Sequence, residues 1–310
     1  MTENPGRRTR RPRRTRRGAR PLTLLATALV TACALAAAPL PAHADAATVT
    51  CATPTVPVYH VDDFGQMRRW SYPAPLDGSG AAAWTQQVLG TGWSGLNVVS
   101  GGDGVLYTID GGGDLRWYKD DGAYTGGSDV DWDPGSGSLI GTGWSRFTRV
   151  FSAGQGVIYA IDSSGALYWY AYQGTAGSAV WAPNSGTVVG SSWGALSRVF
   201  SGGDGIVFAV NDAGTLYWYR HQNPAAGAAT WDNGGSGIAI GNGWAQFTDV
   251  GSVGGGVLFA RDPSGALWWY RDTDPLGGTP SWANGGTGLI QGSGWGPAQV
   301  LGDVTACAAA

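Results

Sequence analysis

Between residues 50 and 307 the chain alternates short apolar runs with clusters of glycine, serine and aspartate. The run Val157-Ile-Tyr-Ala-Ile161 ends at Asp162, the turn Ser163-Ser164-Gly165 follows, and Leu167-Tyr-Trp-Tyr170 makes the next run. A longer Gly/Ala/Ser loop then leads to Trp181 and to Thr187-Val-Val-Gly190. With the segment Phe147 to Ser152 ahead of them, these runs predict four short strands of a meander. No window holds a 3.6-residue apolar period over two turns, and β-branched and aromatic residues dominate the runs. Essentially no helix is expected after residue 45. Strict apolar/polar alternation is absent, as expected for sheets covered on both faces.

The same unit recurs. Trp93, Trp144, Trp193, Trp244 and Trp295 each follow a glycine or serine and stand 51, 49, 51 and 51 residues apart. Five units of about fifty residues fit a β-propeller with four antiparallel strands per blade. The first unit starts directly on a second-strand pattern, Val56 to Val61. The last one stops after the strand-like Gln299 to Val304. That C-terminal strand should complete blade 1 and close the ring. Cys51 and Cys307 flank the cut, so a disulfide between them should replace the missing hairpin. Closing so long a loop stabilises by at most about 5 kcal/mol in the chain-entropy model.

Residues 1–44 read differently. Nine arginines, from Arg7 to Arg20, precede an apolar stretch from Leu22 to Leu40 and the small-residue site Ala42-His43-Ala44. This is the pattern of a signal peptide cut after Ala44, leaving 45–310 as a secreted propeller domain. Val30-Thr31-Ala32-Cys33 resembles a lipobox that would acylate Cys33, but apolar sequence continues past it to the better site. Thr15-Arg16-Arg17 matches a twin-arginine signal poorly. The leader carries away nine basic residues and Glu3, leaving ten basic against 21 acidic side chains, a net charge of −11. So acidic a chain excludes nucleic acid and anionic membrane surfaces as natural partners. No later segment is apolar enough to insert in a bilayer.

Five ordered motifs carry a family resemblance across about residues 50–307. Gly141-Thr-Gly143-Trp144-Ser-Arg-Phe147, Asp103-Gly104-Val-Leu-Tyr107, Leu115-Arg-Trp117-Tyr118-Lys119, a loop to tryptophan, and Leu139-Ile140-Gly141 resemble the tachylectin family. The resemblance implies a five-bladed propeller lectin that binds N-acetylglucosamine and N-acetylgalactosamine, one sugar per blade. The sites would lie in clefts between adjacent blades, lined by the loop before the outermost strand. One feature departs from the pattern. The family's loop tryptophan follows Asp-Asn, whereas here it follows Ala82-Ala83, Val130-Asp131, Ala179-Val180, Ala229-Thr230 and Pro280-Ser281.

Sugar sites need an aromatic face and hydroxyl partners. The candidates are the loop tryptophans Trp84, Trp132, Trp181, Trp231 and Trp282, and the strand aromatics Trp70, Tyr118, Tyr170, Tyr219 and Tyr270. The cations that follow three of these tyrosines, Lys119, Arg220 and Arg271, are further candidates. The Gly-Trp column and the strand column Trp117, Trp169, Trp218 and Trp269 are expected to be packing wedges. Asp62, Asp110, Asp162, Asn211 and Asp262 precede glycine turns and are expected to cap them. Asp129 to Gly135 lacks the glycine and final acid of a calcium loop, Ile140 standing at the twelfth place. His60 and His221, without metal-ligand spacing, read as ordinary surface or strand residues. No metal or cofactor is expected.

A glycosidase needs two carboxylates at a unique centre. The mature chain has no glutamate, and its aspartates recur on turns. The expectation is a non-catalytic lectin, monomeric with several sites. The alternative is a structural or protein-binding propeller in which the same aromatics only pack.

Overall fold

The computed structural model describes residues 47–125, 130–297 and 299–310. The leader, Cys33 and Asp129 lie outside the described residues. From the inside outward, the second blade holds Asn97–Gly102, Val105–Ile109, Leu115–Lys119 and Ser138–Gly141. The third, fourth and fifth blades repeat this order with Phe147–Gly154 to Thr187–Gly190, Leu196–Gly203 to Ile238–Gly241, and Asp249–Gly254 to Leu289–Gly292. The five innermost strands line an axial cavity of about 140 Å³. The fold is an all-β, five-bladed propeller. Among the described residues there is no α-helix, only five single turns of 3₁₀ helix; three of these begin on Trp144, Trp193 and Trp244.

The ring closes as the sequence predicts. Val300–Gly302 pairs antiparallel with Thr55–Val61, placing Val300, Leu301 and Gly302 opposite His60, Tyr59 and Val58. Met67–Pro73 and Thr85–Gly90 complete the first blade. An element not anticipated reinforces the closure: Val49–Cys51 pairs with Cys307–Ala309, bringing Cys51 opposite Cys307 in register. The two cysteines are bonded across 256 residues of sequence.

Blade junctions are filled by the third-strand tryptophans. Trp117, Trp169, Trp218 and Trp269 are all at most 5% exposed. The indole N–H groups of Trp169, Trp218 and Trp269 donate to the carbonyls of Pro224, Pro275 and Pro75 in the following blade. Gly227, Gly278 and Gly78 cross the indole faces so closely that a Cβ would lie 2.5–2.6 Å from the ring. The glycine there is a requirement of contact as well as of turn geometry.

One junction differs. The pairing of Met67 with Gly90 matches that of Leu115 with Gly141, so Arg69 holds the place of Trp117. Arg69 is 1% exposed and lies 2.6 Å from Asp120 of the second blade, which also accepts a hydrogen bond from the Tyr59 hydroxyl. The residues equivalent to Asp120 are Tyr172, His221, Asp272 and Tyr72. His221 meets the Tyr159 hydroxyl. Neither histidine is a surface residue: His60 lies within the strand Thr55–Val61 and His221 just after Leu216–Arg220, at 5% and 1% exposure, and burial lowers the pKa of each.

Asp272 is wholly buried. One carboxylate oxygen accepts the Asp274 N–H and the other has no partner. Phe208 stands where Tyr59 and Tyr159 offer a hydroxyl to their neighbours. Burial pushes the Asp272 carboxyl up to about 7. Its folded pKa exceeds its unfolded one, so its contribution to stability falls as pH rises from about 4 to about 7 and stays low above that. Asp272→Asn should match the wild type near pH 4 and exceed it above pH 7 by roughly a few kcal/mol. Urea unfolding across that range checks this; a constant offset at every pH would contradict it. Cys51→Ser/Cys307→Ser should lose up to about 5 kcal/mol in the same assay. An unchanged midpoint would mean that strand pairing alone closes the ring.

The predicted turn aspartates behave as caps. Oδ1 of Asp62, Asp162 and Asp262 accepts the backbone N–H groups two and four residues on. Asp110 does the same, and Asn211 accepts from Thr215.

Candidate functional site

Successive strand residues face opposite sides. Where Trp117 turns to the next blade, Tyr118 turns back toward Trp93, the Gly-Trp residue of its own blade. Their ring centroids are 4.9 Å apart, and Trp132 from the long loop stacks on Trp93 at 5.8 Å and 21°. The same three-ring group recurs as Trp144–Tyr170–Trp181, Trp193–Tyr219–Trp231 and Trp244–Tyr270–Trp282. The distances from the Gly-Trp ring to the tyrosine are 4.8, 4.7 and 5.0 Å, and to the loop tryptophan 5.9, 5.6 and 5.7 Å. The Gly-Trp indoles, expected to be wedges, are buried at 4–7% exposure and form the back of each group. The tyrosines and loop tryptophans are half-buried.

Two contacts hold each loop tryptophan. Its backbone bridges the residue just after the third strand: Asp120 with Trp132, Tyr172 with Trp181, His221 with Trp231, Asp272 with Trp282. Its indole N–H donates across the junction to the outermost strand of the preceding blade. The acceptors are the carbonyls of Leu89, Ile140, Val189 and Ile240, at 3.0, 2.9, 2.7 and 2.7 Å. Each loop tryptophan thus spans two blades. Beside Trp282 lies a cleft of about 230 Å³, bounded by Gly241 and Asn242 of the fourth blade on one side and by Gln246, Tyr270, Trp282 and Gly286 of the fifth on the other. Burial raises the phenols of Tyr219 and Tyr270, so both stay protonated at neutral pH.

The first blade breaks the pattern. Trp295, Trp70 and Trp84 do gather, Trp295 lying 4.9 Å from Trp70 and 5.6 Å from Trp84. However, the buried indole N–H groups of Trp70 and Trp84 have no partner, and Trp84 packs on Tyr72 at 4.4 Å and on Phe259 at 5.6 Å. The cause is spacing. Trp84 precedes the strand position of Leu89 by five residues, whereas Trp132, Trp181, Trp231 and Trp282 precede theirs by eight or nine. The strand Thr85–Gly90 begins directly after Trp84, with no turn to swing the indole outward.

The candidate cations are engaged elsewhere. Lys119 Nζ lies 3.7 Å from carboxylate oxygens of Asp103 and Asp121, Arg220 lies 4.0 Å from Asp232, and Arg271 donates to the Leu76 carbonyl. Strand alternation sets them on the face opposite the tyrosines that precede them. The positions of the family's Asp-Asn pair are solvent-facing, with Val130 at 46% and Val180 at 49% exposure. A polar residue the sequence reading did not single out does reach one group: Arg146 donates to the Tyr170 hydroxyl at 2.7 Å. The position two residues after each Gly-Trp tryptophan, read as an aligned column, would have revealed it.

The model of the family described as Tachylectin matches residues 60–300. The chain belongs to the tachylectin family. Membership in that family supports a carbohydrate-binding role. No curated protein matches the sequence. Among solved structures, a symmetrical protein from work on de novo evolutionary emergence under folding constraints superposes with a TM-score of 0.50. It is 17% identical, over 78% of this chain and 96% of that one. The fungal lectin of Aleuria aurantia, a six-bladed propeller that recognises fucose, gives a TM-score of 0.43 at 13% identity, over 81% of this chain and 98% of that one. SapL1 lectin in complex with α-methyl fucoside gives 0.39 at 14% identity, over 77% and 82%.

Proposed function

We propose that this chain is a secreted, non-catalytic, multivalent lectin that binds N-acetylhexosamine-containing glycans in the clefts of blades 2 to 5. The observation that carries the reading is the fourfold recurrence of a half-exposed loop tryptophan, anchored through its indole N–H to the neighbouring blade and set beside a tyrosine hydroxyl. An indole face suits the apolar side of a pyranose, and a neutral phenol can donate to or accept from its hydroxyls. A cleft of about 230 Å³ is below the size that takes a drug-like ligand but fits a single sugar ring. Each site alone is weak; four on one rigid, monomeric ring raise avidity on a dense glycan surface by roughly 10²–10⁴. Secretion follows from reading residues 1–44 as a leader. Anchoring through Cys33 is the variant of that reading in which the lipobox is used.

A second reading, a protein-binding propeller, is favoured by apolar side chains on the outer strands, where Leu139, Val188 and Ile290 are 44–55% exposed. A glycan array followed by calorimetry separates the two. The lectin reading expects N-acetylglucosamine or N-acetylgalactosamine glycans among the hits and about four sugars per chain. Trp231→Ala and Trp282→Ala should each remove about one sugar from the stoichiometry, whereas Trp84→Ala should remove none. A silent array from folded, disulfide-bonded protein, with capture of a partner that glycosidase treatment leaves unchanged, would support the protein-binding reading instead.

A further inference from the structure

The four aromatic groups share their rings but differ at the edge. Two residues after the Gly-Trp tryptophan stand Gly95, Arg146, Ala195, Gln246 and Pro297, in chain order. Only the third-blade group therefore carries a charge at this place. Arg146 closes the 3₁₀ turn that begins on Trp144. Its guanidinium carbon lies 4.6 Å from the centre of the Phe147 ring and 5.7 Å from that of Tyr168, while one N–H group holds the Tyr170 hydroxyl at 2.7 Å. The side chain is exposed, and among the described residues no carboxylate lies within ion-pair distance of it.

A guanidinium has five N–H donors in a planar fork, a shape that matches a carboxylate or sulfate edge. Here the ring contact and the phenol fix the fork beside the aromatic group, so little side-chain freedom remains to be lost on binding. The surrounding chain is strongly acidic, which makes an unpaired cation at a cleft rim stand out as a local attractor.

We propose that the third-blade group of Trp144, Tyr170 and Trp181 takes a sugar bearing an anionic group, a carboxylate or a sulfate, which Arg146 grips while Trp181 covers the ring. The proposal rests on the carbohydrate reading of the clefts. Three probes test it on the intact protein by calorimetry: neutral chitotriose, a hyaluronan tetrasaccharide, in which N-acetylglucosamine alternates with glucuronate, and N-acetylglucosamine 6-sulfate. Tighter, salt-sensitive binding of one anionic probe is expected, and the probe that responds identifies carboxylate or sulfate. Arg146→Gln should weaken that probe by about tenfold, the scale of one lost charge-assisted hydrogen bond, and leave chitotriose unchanged. Arg146→Lys should restore part of the loss, since it keeps the charge without the fork. If chitotriose binds but Arg146→Gln leaves the anionic probes unaffected, this proposal falls and the lectin reading stands. If Arg146→Gln instead strengthens chitotriose alone, Arg146 is a plug and the proposal also falls. If none of the three binds the wild type, both readings fall together.

Discussion

The pairing of Val58, Tyr59 and His60 with Gly302, Leu301 and Val300 joins the two chain ends inside one blade, and every blade junction depends on it. A four-stranded blade has two apolar faces and can cover neither by itself. In a closed ring of five, each face meets a neighbour; opened at one place, the ring would leave the faces of two blades to water. Near that seam the second pairing, Val49–Cys51 with Cys307–Ala309, and the Cys51–Cys307 bond act on the same closure. The interactions that close the fold thus join residues from opposite ends of the chain, a topology that folds slowly because a long loop must close before its contacts form.

Within that frame, a single third strand serves two purposes. Its period of two turns one aromatic residue to the following blade and the next one to its own Gly-Trp turn. The first, as in Trp169, is a wedge with its N–H consumed by a proline carbonyl. The second, as in Tyr170, keeps its hydroxyl at the surface, where Arg146 donates to it. Packing and recognition are therefore separated by one position along the strand, and the loop tryptophan links them by reaching over the junction the wedge has filled.

Most of this architecture was legible in the chain. Five Gly/Ser-Trp segments at a near-constant spacing set the blade count, and the mismatched ends located the seam, because repetition reports what each unit must bury. The site was legible only in part. Trp84 belongs to its column by order, but its shorter distance to the outermost strand sets its indole against Tyr72 and Phe259 with the N–H buried and unpartnered, an effect of spacing and not of residue type. Lys119, Arg220 and Arg271 follow tyrosines in sequence, yet neighbours on a strand do not share a face. Arg69 stands in the column of Trp117, Trp169, Trp218 and Trp269, beside Trp70 in the tyrosine column, and nothing in its residue type marks it as a wedge. A charge in an apolar column becomes intelligible only when its partner Asp120, 51 residues away, is seen across the junction.

That exception has an effect on assembly. Four junctions built on similar aromatic wedges are nearly interchangeable, and near-identical repeats are prone to docking out of order. The first blade is more selective. Seated against the third or fourth blade, Arg69 would face Tyr172 or His221 and remain a buried cation without a carboxylate, at a cost of roughly 3–5 kcal/mol; only the fifth blade offers a second carboxyl, Asp272, at the equivalent place. The pair adds little to the stability of the correct ring, but it penalises rings that skip one or two blades. In a molecule made of copies, Arg69 and Asp120 mark where the count of blades begins.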